Sequence, residues 1–171
     1  MKTLYHGSYL EVTHPIARAG RKNLDFGQGF YLTTIREQAE AWARIISTRR
    51  GRSVNPVVSV FRFDEDSARL DGFRFKVFET YDIEWLNYVV DCRQGKNTSA
   101  DFDIVEGGVA NDNVIDTVED YEKGVITAQQ ALGQLRYKKV NHQICILNQA
   151  VIDNFLTFVE SDTLEIDEED M

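Results

Sequence analysis

Hydrophobic positions change rhythm several times along this chain, and each change marks an expected element. Residues 2–6 form a short run that stops at Gly7, and Phe30-Tyr31-Leu32-Thr33 is an aromatic and β-branched run behind Gly27 and Gly29. Both read as strands meeting turns. Over residues 35–50 the small or apolar Ala39, Trp42, Ala43 and Ile46 return at the spacing of one helical face, which directs Trp42 inward. A strand is expected over 57–63, with Val58, Val60 and Arg62 on one face, then a strand over 73–78 and a helix over 81–90. The apolar run 102–105 ends at Gly107-Gly108, and helices over 112–123 and 127–137 are separated at Gly124. A buried strand over 143–147, a short helix over 150–156 and a last strand over 157–160 complete the pattern. Strands and helices are not regularly interleaved and no internal repeat occurs, so the expected class is α+β rather than a doubly wound sheet.

Composition adds limits. With 171 residues, 43% of them hydrophobic, and no Pro/Gly/Ser-rich linker, the chain reads as one domain over 1–160. Residues 161–171 are acidic and short of large apolar side chains, and are expected to form a disordered tail. No signal peptide and no apolar run of about 20 residues is present, which points to a soluble, cytoplasmic protein without membrane partners. Cys92 and Cys145 have no short-spaced partner, and His6, His14 and His142 are scattered, so neither a disulfide scaffold nor a metal site is expected. The net charge of −9 argues against general nucleic-acid binding, although a local basic patch for a specific acceptor stays open. Arg49, Arg50 and Arg52 read as a solvated helix end, whereas Arg18 and Arg21 lie between the two N-terminal motifs.

Those motifs carry the candidate chemistry. Tyr5-His6-Gly7-Ser8 places a histidine beside a glycine, and Gly27-Gln28-Gly29-Phe30-Tyr31-Leu32-Thr33 leads an aromatic strand out of two glycines. Glycine permits close backbone approach, so a flat carboxamide could lie against Gly7, with Tyr31 and Trp42 as two aromatic faces around a planar ring. The Gly27-x-Gly29 pair is not a dinucleotide fingerprint, because it lacks the third glycine and precedes a strand rather than a helix.

His-Gly-Ser, then Gly-x-Gly-Phe-Tyr-Leu-Thr, then a helix with a second aromatic resembles the ADP-ribosyltransferases of the diphtheria-toxin and poly-ADP-ribose polymerase type. To about Val159 the chain also resembles a bacterial family within that superfamily, catalogued only as a domain of unknown function, DUF3990. The resemblance implies two small packed sheets split by a cleft, with NAD bound between them as substrate and no metal. It matches His6 to a histidine that bonds a ribose hydroxyl, and Gly7 to a glycine whose backbone holds the nicotinamide amide. Tyr31 matches the aromatic stacked on nicotinamide, and Trp42 the second wall of that slot. Ser8 is a candidate for the adenosine side, Arg18 for the phosphates, and Gly29 and Asp103 for further cofactor contacts.

The third catalytic position departs from the pattern, since Gln143 falls where these enzymes usually carry a glutamate. An amide can orient a ribose hydroxyl but cannot stabilise positive charge at the anomeric carbon as a carboxylate does. Two unit charges ~4 Å apart interact by about 4 kcal/mol at an effective dielectric near 20, so complete loss would slow the reaction roughly a thousandfold. Asp25, Asp103 and Glu106 are the acids that would compensate, with Asp103 ranked first. Gln143 also fits a structural role in a buried strand. The expected function is therefore NAD-dependent mono-ADP-ribosyl transfer, of the kind found in toxin modules paired with a small antitoxin protein. The alternatives are NAD hydrolysis, or a weak or inactive fold that binds NAD, another nucleotide or a partner protein.

Overall fold

The computed structural model describes residues 1–51, 53–96, 101–110, 114–136, 138 and 141–166. In chain order the elements are β1 (Lys2–Ser8), a 3-10 turn (Ala17–Ala19), β2 (Phe30–Leu32), α1 (Arg36–Arg50), β3 (Val57–Phe63), α2 (Glu65–Leu70), β4 (Phe75–Val77) and α3 (Ile83–Arg93). They continue as β5 (Ile104–Gly107), α4 (Ile115–Glu122), α5 (Ala128–Leu135), β6 (Gln143–Ile146), α6 (Gln149–Phe155) and β7 (Leu156–Thr163). Among the described residues this is an α+β arrangement of six α-helices and two sheets, one ordered β1-β3-β7 and the other β2-β6-β5-β4.

Alternation along the strands assigns each side chain to a layer. In the central strand β3, Val58 and Val60 face Ala39 and Ala43 of α1, while Phe61 and Phe63 face the second sheet, and only Arg62 is exposed. On the second sheet, Phe30, Leu32, Ile104, Ile144 and Ile146 meet Leu4, Phe61 and Phe63 in the core between the sheets. The opposite face carries Val105 and Cys145, which pack with Trp85, Leu86 and Val89 of α3, Val118 of α4 and Leu135 of α5. Both cysteines are buried and neither forms a disulfide.

Three expectations need correction. Helix α2 lies where no element was expected; six residues are too few to show a period, but Asp64 caps it by accepting from Ser67 N–H at 3.2 Å. Trp42 is not a core residue: α1 packs through Ala39, Ala43 and Ser47, and Trp42 is 50% exposed on the adjoining face. The last strand does not end at Glu160. Its residues Ser161, Asp162 and Thr163 pair with Ser59, Val58 and Val57, and Leu164 packs against the α1 layer, so the body reaches past the expected tail boundary. The expected helices over 112–123 and 127–137 are observed as α4 and α5, while positions 112, 113 and 137, like Arg52 and residues 167–171, lie outside the described residues. No helix of the described residues is long and apolar enough to cross a membrane.

Candidate functional site

The two sheets meet at one isolated bridge, Tyr5 with Thr33, where each N–H donates to the other's carbonyl at 2.8 and 2.9 Å. Beyond it β1 stays with β3 while β2 stays with β6, and the sheets part. Thr33 also starts α1, because its Oγ1 accepts from Ile35 N–H at 3.1 Å and donates to Gln38 Oε1 at 3.2 Å. The split is thus walled by β1, β2, the start of α1 and the Gln143 end of β6.

His6 spans the opening. Its Nδ1 lies 2.7 Å from the Tyr31 carbonyl, which can only accept, so Nδ1 carries the hydrogen and Nε2 of the neutral ring keeps a lone pair. The imidazole rests on Phe30, with ring centroids 4.3 Å apart. Burial lowers its pKa, opposed in part by the bond to Tyr31, so the ring is neutral at pH 7 and can accept from a hydroxyl. Gly7 is fixed by packing: a Cβ there would stand 2.0 Å from the Ala39 carbonyl oxygen. N–H and C=O groups of alternate residues share an edge in an antiparallel strand, so Gly7 presents its pair on the same edge as Tyr5, past the bridge.

Tyr31 is locked by its hydroxyl, which donates to Gly27 O at 2.6 Å and accepts from Phe26 N–H at 3.1 Å. Burial pushes the phenol well above its ordinary pKa, and the 26–29 loop curls over it through Gly27 at φ 96°. What Tyr31 offers a ligand is therefore its ring. Gln143 contributes a primary amide whose Nε2 is buried without a hydrogen-bond partner. Leaving such a donor unpaired is costly, and a polar atom placed in the cleft could take its hydrogen.

These groups line one cleft of about 460 Å³ with Tyr5, Trp42, Asp25, Arg93 and His142, a volume within the range of small-molecule sites. Asp25 is its buried carboxylate. One oxygen accepts from Ala110 N–H at 2.9 Å, and the other faces Arg93 Nη1 at 3.3 Å, while Arg93 also reaches Glu119 at 3.7 Å. Burial raises the Asp25 pKa, and Ala110, Arg93 and the Gln143 amide partly offset that rise. At the mouth, His142 Nδ1 accepts from Thr34 N–H at 3.2 Å, so Nε2 carries the hydrogen toward Glu106 Oε1 at 2.7 Å. That bond holds the Glu106 carboxyl below its ordinary value.

Of the residues expected from sequence, His6, Gly7, Tyr31, Trp42 and Gln143 come together here, and Ser8, Arg18, Gly29 and Asp103 do not. Ser8 is buried opposite Val57. Gly29 serves packing, since a Cβ there would lie 2.5 Å from Cys145 Sγ and 2.7 Å from Ile146 O. Arg18 and Asp103 border a separate hollow with Arg74 and Asn148. Asp103 is occupied by Arg74 N–H at 2.7 Å and Asn148 Nδ2 at 3.1 Å, so the acid beside Gln143 is Asp25, not the first-ranked Asp103. Arg93 and His142 carried no role from sequence. The readable sign of Asp25 was its place as a lone acid ahead of the Phe-Gly-Gln-Gly-Phe-Tyr run.

The profile of the family described as Protein of unknown function (DUF3990) matches residues 2–158, almost the whole chain. The chain belongs to this DUF3990 family. Neither the curated proteins nor the solved structures contain a match to it. Because the match begins in β1 and runs into β7, every residue lining the cleft lies within the DUF3990 region.

Proposed function

We propose that this DUF3990 protein is an NAD-dependent mono-ADP-ribosyltransferase of the split-sheet type. The observation that supports this reading is the convergence of His6, Gly7, Tyr31, Trp42 and Gln143 from separate parts of the chain on one cleft. Nicotinamide would lie on the Tyr31 ring, with its carboxamide against the Gly7 backbone and Trp42 closing the outer side. His6 Nε2 would accept from one ribose hydroxyl, and Gln143 Nε2 would donate to a ribose oxygen. Held this way, the bond between nicotinamide and the anomeric carbon breaks with its electron pair going to nicotinamide, and an acceptor nucleophile adds to the oxocarbenium-like centre. Positioning and electrostatics supply the rate.

The test is incubation with NAD labelled on the adenylate in a cell lysate, with nicotinamide release measured in parallel. Labelled protein or nucleic acid plus free nicotinamide supports transfer. Free ADP-ribose alone would redirect the reading to NAD hydrolysis. The amide at Gln143 favours a second reading, NAD binding without turnover; binding by calorimetry with no nicotinamide released would establish it. A small antitoxin that covers the cleft fits the transferase reading, and co-purification with the product of a neighbouring gene tests it.

A further inference from the structure

The neutral residue on β6 leaves the proposed reaction without its usual counter-charge, and the cleft contains a carboxylate from another part of the chain. Asp25 lies on the segment between β1 and β2, lines the cleft beside Gln143, and is tied at one oxygen to Ala110 N–H at 2.9 Å. Its other oxygen meets Arg93 at a long 3.3 Å, and that arginine is shared with Glu119, so one cation serves two carboxylates. A net negative charge remains in the cluster. The unpaired Gln143 Nε2 stands close enough for its amide to help hold the Asp25 carboxyl down, although it makes no full hydrogen bond. The site therefore has two half-completed groups side by side, a donor without an acceptor and a carboxylate under-supplied with cations.

We propose that Asp25 is a catalytic residue of this cleft and supplies from the β1–β2 segment the negative charge that Gln143 lacks. This inference rests on the transferase reading. As the C1′–N bond breaks, the bonding pair leaves with nicotinamide, which departs neutral, and positive charge spreads over ribose C1′ and O4′. The Asp25 carboxylate faces that charge, while Gln143 donates to a ribose oxygen. The acceptor then bonds to C1′ and loses its proton to water. The interaction is made mainly in the transition state, so it acts on turnover more than on binding.

The experiment compares wild type, Asp25→Asn, Gln143→Glu and the double variant for nicotinamide release and for NAD affinity by calorimetry. Asp25→Asn is expected to slow release about a hundredfold to a thousandfold while NAD affinity stays within about threefold. Gln143→Glu alone is expected to gain less than about threefold, because two adjacent carboxyls do not both ionise readily. In the Asp25→Asn background the same Glu should restore at least about tenfold, since one carboxylate is again present. A structural Asp25 would give no such rescue. Release unchanged in Asp25→Asn, or raised more than about tenfold by Gln143→Glu alone, overturns the role of Asp25 and leaves the transferase reading standing. The second of these arms needs no change at Asp25 and so does not depend on how that variant folds. Absence of release from the wild type overturns both.

Discussion

Gly7→Ala tests whether the close approach of α1 to β1 builds the cleft. The added Cβ would sit 2.0 Å from Ala39 O, 2.9 Å from Ala43 N and 3.0 Å from Ala39 C, all of them backbone atoms of one helix. Ordinary contact begins near ~3.5 Å, so α1 must retreat by more than ~1 Å, or β1 must bend. Overpacking of this kind costs about 1–3 kcal/mol, and for a domain of this length each kcal/mol moves the Tm by about 2–4 °C. The expected loss is therefore roughly 2–12 °C by circular dichroism. Gly133→Ala is the matched control: it lies exposed in α5, an added Cβ meets nothing within 4 Å, and the higher helix propensity of alanine should raise stability by about 0.5–1 kcal/mol. Trp42 rides on the displaced helix while Tyr31 does not, so NAD affinity should fall in Gly7→Ala and hold in Gly133→Ala. A Gly7→Ala protein that melts within about 1 °C of wild type would refute the packing argument.

Tyr31→Phe keeps the ring but strands the Gly27 carbonyl and Phe26 N–H, so the Tm should fall by several degrees while NAD affinity holds within about threefold; Tyr31→Ala should lose up to about tenfold in affinity. Calorimetry beside thermal melts separates the two, and equal NAD affinity in folded Tyr31→Ala and wild type would remove the stacking role. Truncation after Glu160 removes three paired residues of β7, the Arg36–Asp162 ion pair at 2.6 Å, and Leu164 with its N–H bond to Pro56 O at 2.8 Å. That should cost about 2–4 kcal/mol, read as a Tm drop of order 10 °C. Asp25 has a folded-state pKa above its unfolded value, so its contribution to stability is fully present below about pH 4 and is lost as pH rises through the raised folded pKa. Urea midpoints should therefore shift in favour of Asp25→Asn, relative to wild type, as pH rises above about 4; parallel profiles would contradict the burial of this carboxyl beside Arg93, Tyr31 and Tyr81.

How much was legible follows from the reach of each signal. β1, β2, β3, α1 and β6 were readable because alternation or helical spacing is a local property, and the α+β class came with them. Trp42 was misdirected because periodicity weighs hydrophobicity, whereas approach distance to Gly7 decides which face of α1 packs, and that selects Ala39, Ala43 and Ser47. Ser161-Asp162-Thr163 carries no apolar pattern, yet an edge strand needs only backbone pairing on one side, which β3 provides. Asp103 was ranked first because the loop it opens resembles a family feature near the cleft. Its partners, Arg74 and Asn148, lie 29 and 45 residues away and are invisible to local reading. Asp25 was named among the compensating acids but ranked below Asp103 for the same cause, since its Ala110 bond spans 85 residues.

The distribution of charge in the cleft also narrows how a dinucleotide could use it. Among the described residues lining it, the permanent cation is Arg93, which already faces Asp25 and Glu119. Arg18, the phosphate candidate, borders the other hollow. His6 is neutral, and His142 turns its protonated nitrogen toward Glu106 rather than outward. A pyrophosphate drawn into this space would meet a buried carboxylate without a free partner cation, an arrangement that repels it. Nicotinamide and its ribose carry amide and hydroxyl groups that match Gly7, His6 and Gln143, and departure of nicotinamide creates the positive charge that a buried carboxylate favours. On the proposed reading, the inner cleft would take the glycosidic end of NAD and leave the phosphates outside it.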